Sequence, residues 1–167
     1  MRKITQKIYN FNELDEEIQK KLIEKEKENQ KKLFCECFLL EEMQEKAKEL
    51  LQKYFKNNTT FKSVFYSLSY CQGDGAMIEF ELKYYNKIVQ VKYNGRYCHE
   101  RSFLLYEDEL TEKQEKQLKQ KIYKMNCELS KYGYNLIEFE PSDNEIIEIL
   151  NENEYFENGN MYIYKEY

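Results

Sequence analysis

The apolar residues change their spacing twice along the chain, and this change limits the possible folds more than any other feature. Between residues 63 and 84 they occupy even positions on both sides of the glycine pair Gly73 and Gly75, whereas within residues 14–54 and 118–132 they recur every three or four positions. A spacing of two is typical of strands, and a spacing near 3.6 is typical of helices. The sequence therefore predicts a β-hairpin with helices before and after it in the chain, which indicates an α+β fold.

Further strands are predicted around this hairpin. Residues 3–11 form a short strand or extended arm, and residues 155–167 form a hairpin closed by Asn158-Gly159. Residues 87–106 supply two more strands, joined at Asn94-Gly95, a pair that favours a type I′ turn. The apolar positions of the first of these two strands are Ile88, Val91 and Tyr93. We therefore expect an antiparallel β-sheet of about four to six strands, packed against amphipathic helices in a single domain that spans residues 1–167.

Four helices are predicted from periodicity and capping residues. Asp15 is the expected N-cap of the first helix, and Thr111 is that of a long amphipathic helix ending at Gly133, a favourable residue after a C-terminus. Ser142 and Glu145 have the spacing of a capping box at the start of the last helix. The second helix is predicted from residue 33 onward, and its apolar stripe is Leu33, Cys37, Leu40, Ala47, Leu51 and Tyr54.

The motif Gln72-Gly73-Asp74-Gly75 lies between the two strands of the central hairpin. It lacks the lysine and hydroxyl of a phosphate-binding P-loop, and it precedes a strand rather than the helix of a dinucleotide site. A calcium loop needs several alternating oxygen ligands, but only one carboxylate lies nearby. The motif is therefore predicted to be a structural turn, in which the glycines permit positive φ and Gln72 serves as a polar anchor or as a contact residue.

No arrangement typical of a catalytic or metal site stands out. Cys98 and His99 are adjacent, and on a strand adjacent side chains point to opposite faces, so they are not expected to form a nucleophilic pair. The cysteines lack the spacing of a zinc site. We expect no catalytic residue, metal or cofactor. The alternative is a small-molecule or nucleotide-binding protein, or a metal-dependent enzyme, centred on Gln72, Asp74, Cys98 and His99.

Charge is unevenly distributed along the chain. Residues 1–132 carry 25 Lys and Arg against 22 Asp and Glu, whereas residues 133–167 carry one lysine against nine acids. The net charge of −5 argues against direct nucleic-acid binding and favours a protein partner with a basic surface, such as the nucleic-acid groove of a host or rival protein. The predicted partner-binding acids are Glu138, Glu140, Asp143, Glu145, Glu148, Glu152, Glu154 and Glu157.

The sequence predicts a cytoplasmic location. No stretch approaches the length of an apolar membrane span, and residues 1–11 lack the apolar core of a signal peptide. The chain has five cysteines, an odd number without the spacing of a disulfide framework, which is typical of reduced thiols.

Four segments of the chain resemble a family of small uncharacterised proteins from phages and bacterial mobile elements. These proteins are often described as similar to the antitoxin of a toxin–antitoxin stability system. The segments are residues 8–25, 66–80, 94–102 and 141–162, and the most specific is the run Gln-Gly-Asp-Gly-Ala at residues 72–76. Residues 33–56 and 133–140 depart from the family pattern. We expect these segments to determine which partner the protein binds.

The resemblance implies an accessory protein of α+β build with no established reaction. Proteins of this kind are often interaction modules that neutralise a host or rival protein, including immune effectors such as CRISPR complexes. From the resemblance and the charge pattern together we expect a non-enzymatic protein that binds and modulates or inhibits another protein, either a host defence effector or a toxin.

Overall fold

A computed structural model describes residues 7–106 and 110–163, and within these ranges the fold is α+β. The strand residues Ile4 and Gln6, and the last residues of the predicted C-terminal hairpin, lie outside the described ranges. The four helices are α1 (Glu16–Cys37), α2 (Leu39–Phe55), α3 (Glu112–Glu138) and α4 (Asp143–Asn151). The six strands are β1 (Ile8–Asn10), β2 (Thr59–Ser67), β3 (Gly75–Tyr84), β4 (Lys87–Tyr93), β5 (Phe103–Tyr106) and β6 (Glu154–Phe156).

The chain divides into two compact units. One unit, called the terminal unit below, comprises residues 1–34 and 139–167, and the other, called the central unit, comprises residues 35–138. By sequence, the terminal unit carries 10 basic and 15 acidic residues, and the central unit carries 16 of each. The negative net charge of the chain therefore belongs entirely to the terminal unit.

The central unit contains a four-stranded antiparallel sheet in the order β2-β3-β4-β5. β3 packs against α3, and its alternate residues Ile78, Phe80 and Leu82 are all buried. The Phe80 ring also contacts the Phe55 ring of α2, with their centroids 5.6 Å apart. The buried residues Leu118, Ile122, Met125 and Leu129 of α3 form the amphipathic stripe that the sequence predicted. Packing of helices against one sheet face is the arrangement expected for this fold class.

The two helices of the central unit are joined at a half-buried carboxylate. Glu128 of α3 accepts hydrogen bonds from Lys53 Nζ and Tyr54 Oη of α2, both at 2.6 Å. These two donors hold the pKa of Glu128 below its usual value. The hydrogen bond to Glu128, reinforced by burial, raises the pKa of Tyr54 to about 12.

The tight hairpin turn lies one connection earlier than the sequence predicted. Tyr84 pairs with Lys87, so the two-residue loop between β3 and β4 is Tyr85-Asn86, and both of its residues have positive φ, as a type I′ turn requires. The predicted turn at Asn94-Gly95 instead begins a nine-residue loop, 94–102, and only Gly95 of that pair has positive φ. Residues 96–102 are consequently not part of a strand, contrary to the prediction.

Three predictions about apolar faces and helix ends were wrong. The helix predicted from residue 33 is two helices, since α1 continues to Cys37 and α2 begins at Leu39, and Leu33, Cys37 and Leu40 are exposed. On β4, Val89 and Val91 are buried while Ile88 is 70% exposed. Gly133 lies inside α3 rather than after it, where a Cβ would come within 2.8 Å of Leu68 Cδ1. The glycine permits close packing there instead of ending the helix.

The terminal unit contains the two-stranded antiparallel sheet β1-β6 and the helix α4. The predicted capping box of α4 is confirmed: Ser142 Oγ accepts from Glu145 N at 3.3 Å, and the Glu145 carboxylate accepts from Ser142 N at 2.8 Å. Asp15 caps α1 as predicted, since its Oδ1 accepts from Glu17 N at 2.9 Å. The core of this unit consists of Phe11, Leu14, Ile146, Leu150 and Tyr155.

The helices of the described ranges are too short or too polar to cross a lipid bilayer.

Candidate functional site

The Asp74 carboxylate organises the connection between β2 and β3. Its Oδ1 accepts from Ser67 Oγ at 2.6 Å, and its Oδ2 accepts from the backbone N–H groups of Ser69 and Cys71 at 2.8 and 2.7 Å. The Ser67 hydroxyl and these backbone donors lower the pKa of Asp74. Both oxygens of Asp74 thus accept hydrogen bonds from the loop, and Asp74 closes the turn between β2 and β3.

The two glycines of the motif allow the 94–102 loop to lie against this turn. Gly73 has a φ of +93°, and a Cβ there would come within 2.7 Å of Tyr97 Cδ1. Gly75 has a φ of +147°, and a Cβ there would meet Glu100 Oε1 at 2.9 Å and His99 Cα at 3.1 Å. Both positions favour glycine for their backbone conformation, and both also exclude a side chain by close contact.

Two buried polar residues of α3 take the place of a missing strand beside β3. The register of β3 with β4 extends only from Phe80 to Tyr84. Upstream of it, Ala76 N donates to Ser130 Oγ at 2.7 Å and Ile78 N donates to Asn126 Oδ1 at 3.3 Å. A buried backbone N–H without a partner is costly, so these side chains satisfy donors that β4 does not reach.

Asn126 also attaches the 94–102 loop to the helix. Its Nδ2 donates to the backbone oxygen of Glu100 at 3.0 Å. The loop, the turn and α3 thus form one hydrogen-bonded assembly around the start of β3. Sequence reasoning missed Asn126 and Ser130, although both are polar residues four positions apart that border the apolar stripe of α3.

A cavity of about 370 Å³ opens beside the turn. It is lined by Gln72, Gly73, Tyr97 and His99, and the rings of Tyr97 and His99 are nearly parallel with their centroids 6.2 Å apart. His99 Nδ1 accepts from Arg101 N at 3.1 Å, so a neutral His99 carries its proton on Nε2. The side-chain polar groups of the lining residues are the Gln72 amide, the Tyr97 hydroxyl and the His99 imidazole.

The other two residues of the alternative site are not at the cavity wall. Asp74 is engaged in the turn, and Cys98 Sγ lies 3.5 Å from Tyr93 Oη. No hydrogen bond joins Cys98 to His99, and the reason is not the one given by the sequence, because these two residues lie in a loop rather than on a strand. Among the described residues, no three His, Cys, Asp or Glu side chains are placed to hold a metal ion.

The eight predicted partner-binding acids are all exposed but do not form one group. Glu138 belongs to the central unit, where its carboxylate accepts a hydrogen bond from the Tyr70 hydroxyl. In the terminal unit Asp143 pairs with Lys27, and Glu145 is held by the capping box, whose hydrogen bonds lower its pKa. The acids that form no ion pair or side-chain hydrogen bond with a described residue are Glu140, Glu148, Glu152, Glu154 and Glu157.

The outward side of α4 combines acidic and apolar surface. Ile146 and Leu150 are buried in the core of the terminal unit and Ile147 packs against that core, whereas Glu148 and Ile149 are exposed, Ile149 by 36%. The exposed residue Glu152, four positions after Glu148, is the C-cap of α4. Glu148, Ile149 and Glu152 are called the α4 face below.

None of the family models, curated proteins or solved structures compared with the chain matches it. The resemblance to phage and mobile-element proteins accordingly remains a prediction from the four sequence segments.

Proposed function

We propose that the protein is a non-enzymatic binding protein that docks onto a basic surface of another protein through its α4 face. The observation that carries the proposal is the exposed pair Glu148 and Glu152, four positions apart and free of ion pairs with described residues, together with the neighbouring exposed Ile149. An exposed apolar side chain beside charged groups supplies contact area, and the charges supply orientation.

The charge distribution supports the same partner class. The terminal unit has a net charge of −5 by sequence, whereas the central unit is neutral. Opposite charge accelerates the encounter of two proteins and disfavours acidic competitors. The nucleic-acid groove of a host or rival protein has the basic surface that this face would complement.

The biological setting of the proposal comes from the sequence resemblance. We infer an accessory protein of a phage or mobile element that acts in the host cytoplasm. Its partner would be either a host defence effector such as a CRISPR complex, which makes the protein an inhibitor of defence, or a toxin, which makes it an antitoxin.

Charge reversal on α4 tests the docking face. The double variant Glu148→Lys/Glu152→Lys is compared with the wild-type protein for binding to purified CRISPR effector complexes and toxins of the host, measured by surface plasmon resonance at several salt concentrations. We expect the variant to lose about tenfold or more in affinity, mainly through slower association, because each reversal turns an attraction into a repulsion.

The matched control is Glu41→Lys/Glu45→Lys on α2, which also reverses two exposed acids four residues apart. Glu145 is left unchanged in both proteins because its loss would weaken the start of α4. A control that weakens binding as much as the α4 variant would show that net charge rather than the α4 face determines affinity. Binding that is insensitive to salt and to both variants would contradict the proposal.

A second candidate function, binding of a small molecule, is favoured by the cavity that Gln72 and His99 share. Thermal-shift measurements with nucleotide and metabolite panels test it, because a ligand of the folded state raises the melting temperature. A ligand whose effect disappears in His99→Ala would support this function, and metal analysis of the purified protein tests its metal-dependent form. If no ligand shifts the melting temperature and no metal is found, this function is wrong.

A further inference from the structure

We propose that the central unit has a binding site for a small anionic ligand with a planar ring, of the class of a nucleoside monophosphate, between β5 and α3. A cavity of about 380 Å³ lies there, lined by Arg101, Phe103, Lys119, Gln120 and Tyr123. None of these residues belongs to the α4 face or to the cavity beside Gln72. The proposal therefore adds a second activity to the protein and does not depend on the first.

The polar groups of this cavity are hydrogen-bond donors suited to an anion. Arg101, Lys119 and Gln120 contribute a guanidinium, an ammonium and an amide, and no acidic side chain of the described residues is part of the lining. The Arg101 guanidinium forms no ion pair with a described carboxylate. The neighbouring Glu100 carboxylate lies beside Gly75 at the start of β3. The positive charge of Arg101 is thus not neutralised from within the described part of the chain.

Lys119 forms an ion pair with Glu115 one turn earlier on α3. The Lys119 side chain is about half exposed, and exposed pairs of this spacing contribute little free energy. A phosphate or carboxylate in the cavity can therefore share the Lys119 ammonium with Glu115 at small cost. Arg101 and Lys119 thus place two positive charges at the cavity, one of which is shared with Glu115.

Aromatic rings form the remaining walls. The Arg101 guanidinium lies over the Tyr123 ring with its carbon 4.6 Å from the ring centroid, which is a cation–π contact. The N–H groups of a guanidinium in such a contact stay available for hydrogen bonds to an oxyanion. Phe103 is half-buried and offers apolar surface to a planar ring. Positive charge and aromatic surface in one cavity are the two features by which a mononucleotide is recognised.

The volume of the cavity agrees with a ligand of this size. About 380 Å³ lies near the lower end of the range for small-molecule pockets, roughly 300–1,000 Å³. The site is placed by tertiary structure, since Arg101 and Phe103 come from the end of the 94–102 loop and the start of β5, and the other three come from two turns of α3.

Titration of the full chain with AMP, adenosine and inorganic phosphate tests the site. Binding is measured by calorimetry and by changes in the amide NMR signals of residues 101–103 and 119–123. We expect AMP to bind, phosphate to bind more weakly at the same signals, and adenosine to bind at least about tenfold more weakly than AMP, because it lacks the charge-assisted hydrogen bonds. Equal binding of AMP and adenosine would overturn the anionic character of the site, and absence of AMP binding would overturn the site itself.

Two variants locate the binding. Arg101→Gln should weaken AMP binding by about tenfold or more, which is the loss expected when charge-assisted hydrogen bonds are removed. The control Arg96→Gln removes an arginine from the same loop and should change the affinity for AMP by less than about twofold. If Arg101→Gln does not fold, Gln120→Glu is used instead, because it places a negative charge in the lining at an exposed position of α3. It should weaken AMP binding similarly. Its control is Gln52→Glu, at an exposed position of α2. AMP binding that is unchanged in the lining variants would overturn the proposal.

Discussion

Asp74 shows at the scale of a residue how a single side chain fixes a loop. One carboxylate accepts three hydrogen bonds from residues within seven positions of it, and in this way it holds the connection between β2 and β3 in one conformation. The sequence motif around it is therefore explained by the turn and by the approach of the 94–102 loop, with no need for a ligand at Asp74.

Asp74→Asn tests this role. The variant keeps one carbonyl acceptor but loses the charge, so we expect the melting temperature to fall by about 3–6 °C. The control is Asp143→Asn, which removes one partner of an exposed ion pair with Lys27 and should change the melting temperature little. Equal effects of the two substitutions would contradict the structural role of Asp74.

The same carboxylate predicts a dependence of stability on pH. Because its pKa is lower in the folded protein than the ordinary value of 3.8, Asp74 contributes stability that is complete above that value and is lost as the pH falls through the folded pKa. The difference in free energy of unfolding between the wild type and Asp74→Asn, measured by urea unfolding, should therefore be constant from pH 5 to pH 7 and shrink in more acidic solution. A difference that grows on acidification would show that the sign is wrong.

Comparing substitutions at Gly75 and Gly95 separates the cost of a close contact from the cost of backbone strain. Both have positive φ, but a Cβ at Gly95 would have no atom within 4 Å, whereas one at Gly75 would meet backbone and side-chain atoms of the 94–102 loop. We expect Gly95→Ala to cost about 1 kcal/mol from backbone strain alone, and Gly75→Ala to cost about 3 kcal/mol or more. Urea unfolding measures both, and similar costs would mean that the loop does not lie against Gly75.

At the scale of an element, α3 performs two tasks. Its apolar stripe covers the sheet, and its polar residues Asn126 and Ser130 pair with the part of β3 that β4 leaves open. Side chains of α3 thus accept the hydrogen bonds that a neighbouring strand would otherwise accept. Asn126 also holds the 94–102 loop in place by donating to the backbone oxygen of Glu100.

Asn126→Leu tests the second task of α3. The substitution leaves Ile78 N and the Glu100 oxygen without their partners, and two unsatisfied buried groups should lower the free energy of unfolding by about 3 kcal/mol or more. Asn135→Leu makes the same change at an exposed position of α3 and should alter it by less than about 0.5 kcal/mol. Protection of the Ile78 and Ala76 amides against hydrogen exchange should decrease only in the first variant, and unchanged protection would contradict this role.

At the scale of the whole molecule, the two units differ in charge and in core. The core of the terminal unit is small and includes the buried Tyr155, whereas that of the central unit is built from the four-stranded sheet with α2 and α3. The sequence-based prediction of one domain over residues 1–167 means that the two cores unfold together.

Equilibrium unfolding tests the one-domain prediction. Leu150→Ala removes apolar volume from the terminal core and Ile122→Ala removes it from the central core, and each should cost about 2–5 kcal/mol. In one cooperative domain both variants shift a single urea transition, followed by circular dichroism and by tyrosine fluorescence. Two transitions, of which each variant moves only one, would show that the units unfold independently.

Features that depend on neighbouring residues in the chain were predicted correctly, whereas features that depend on distant residues were not. The capping box at Ser142 and Glu145, the N-cap at Asp15 and the pairing of β2 with β3 were predicted correctly, because each depends on residues close together in the chain. The exposure of Ile88 and the interior position of Gly133 were predicted wrongly, because burial depends on which distant element packs there.

The amino-acid sequence was enough to predict the α+β class and most helix and strand positions, and it shows directly the concentration of acids after residue 133. Tertiary structure alone decided that the 94–102 loop packs on this turn, that Asn126 and Ser130 complete the edge of β3, and that Glu138 lies in a different unit from the other acids. The two sets of features differ because helix capping and the alternation of strand side chains depend on residues a few positions apart. Burial and hydrogen-bond satisfaction depend instead on groups brought together from far apart in the chain.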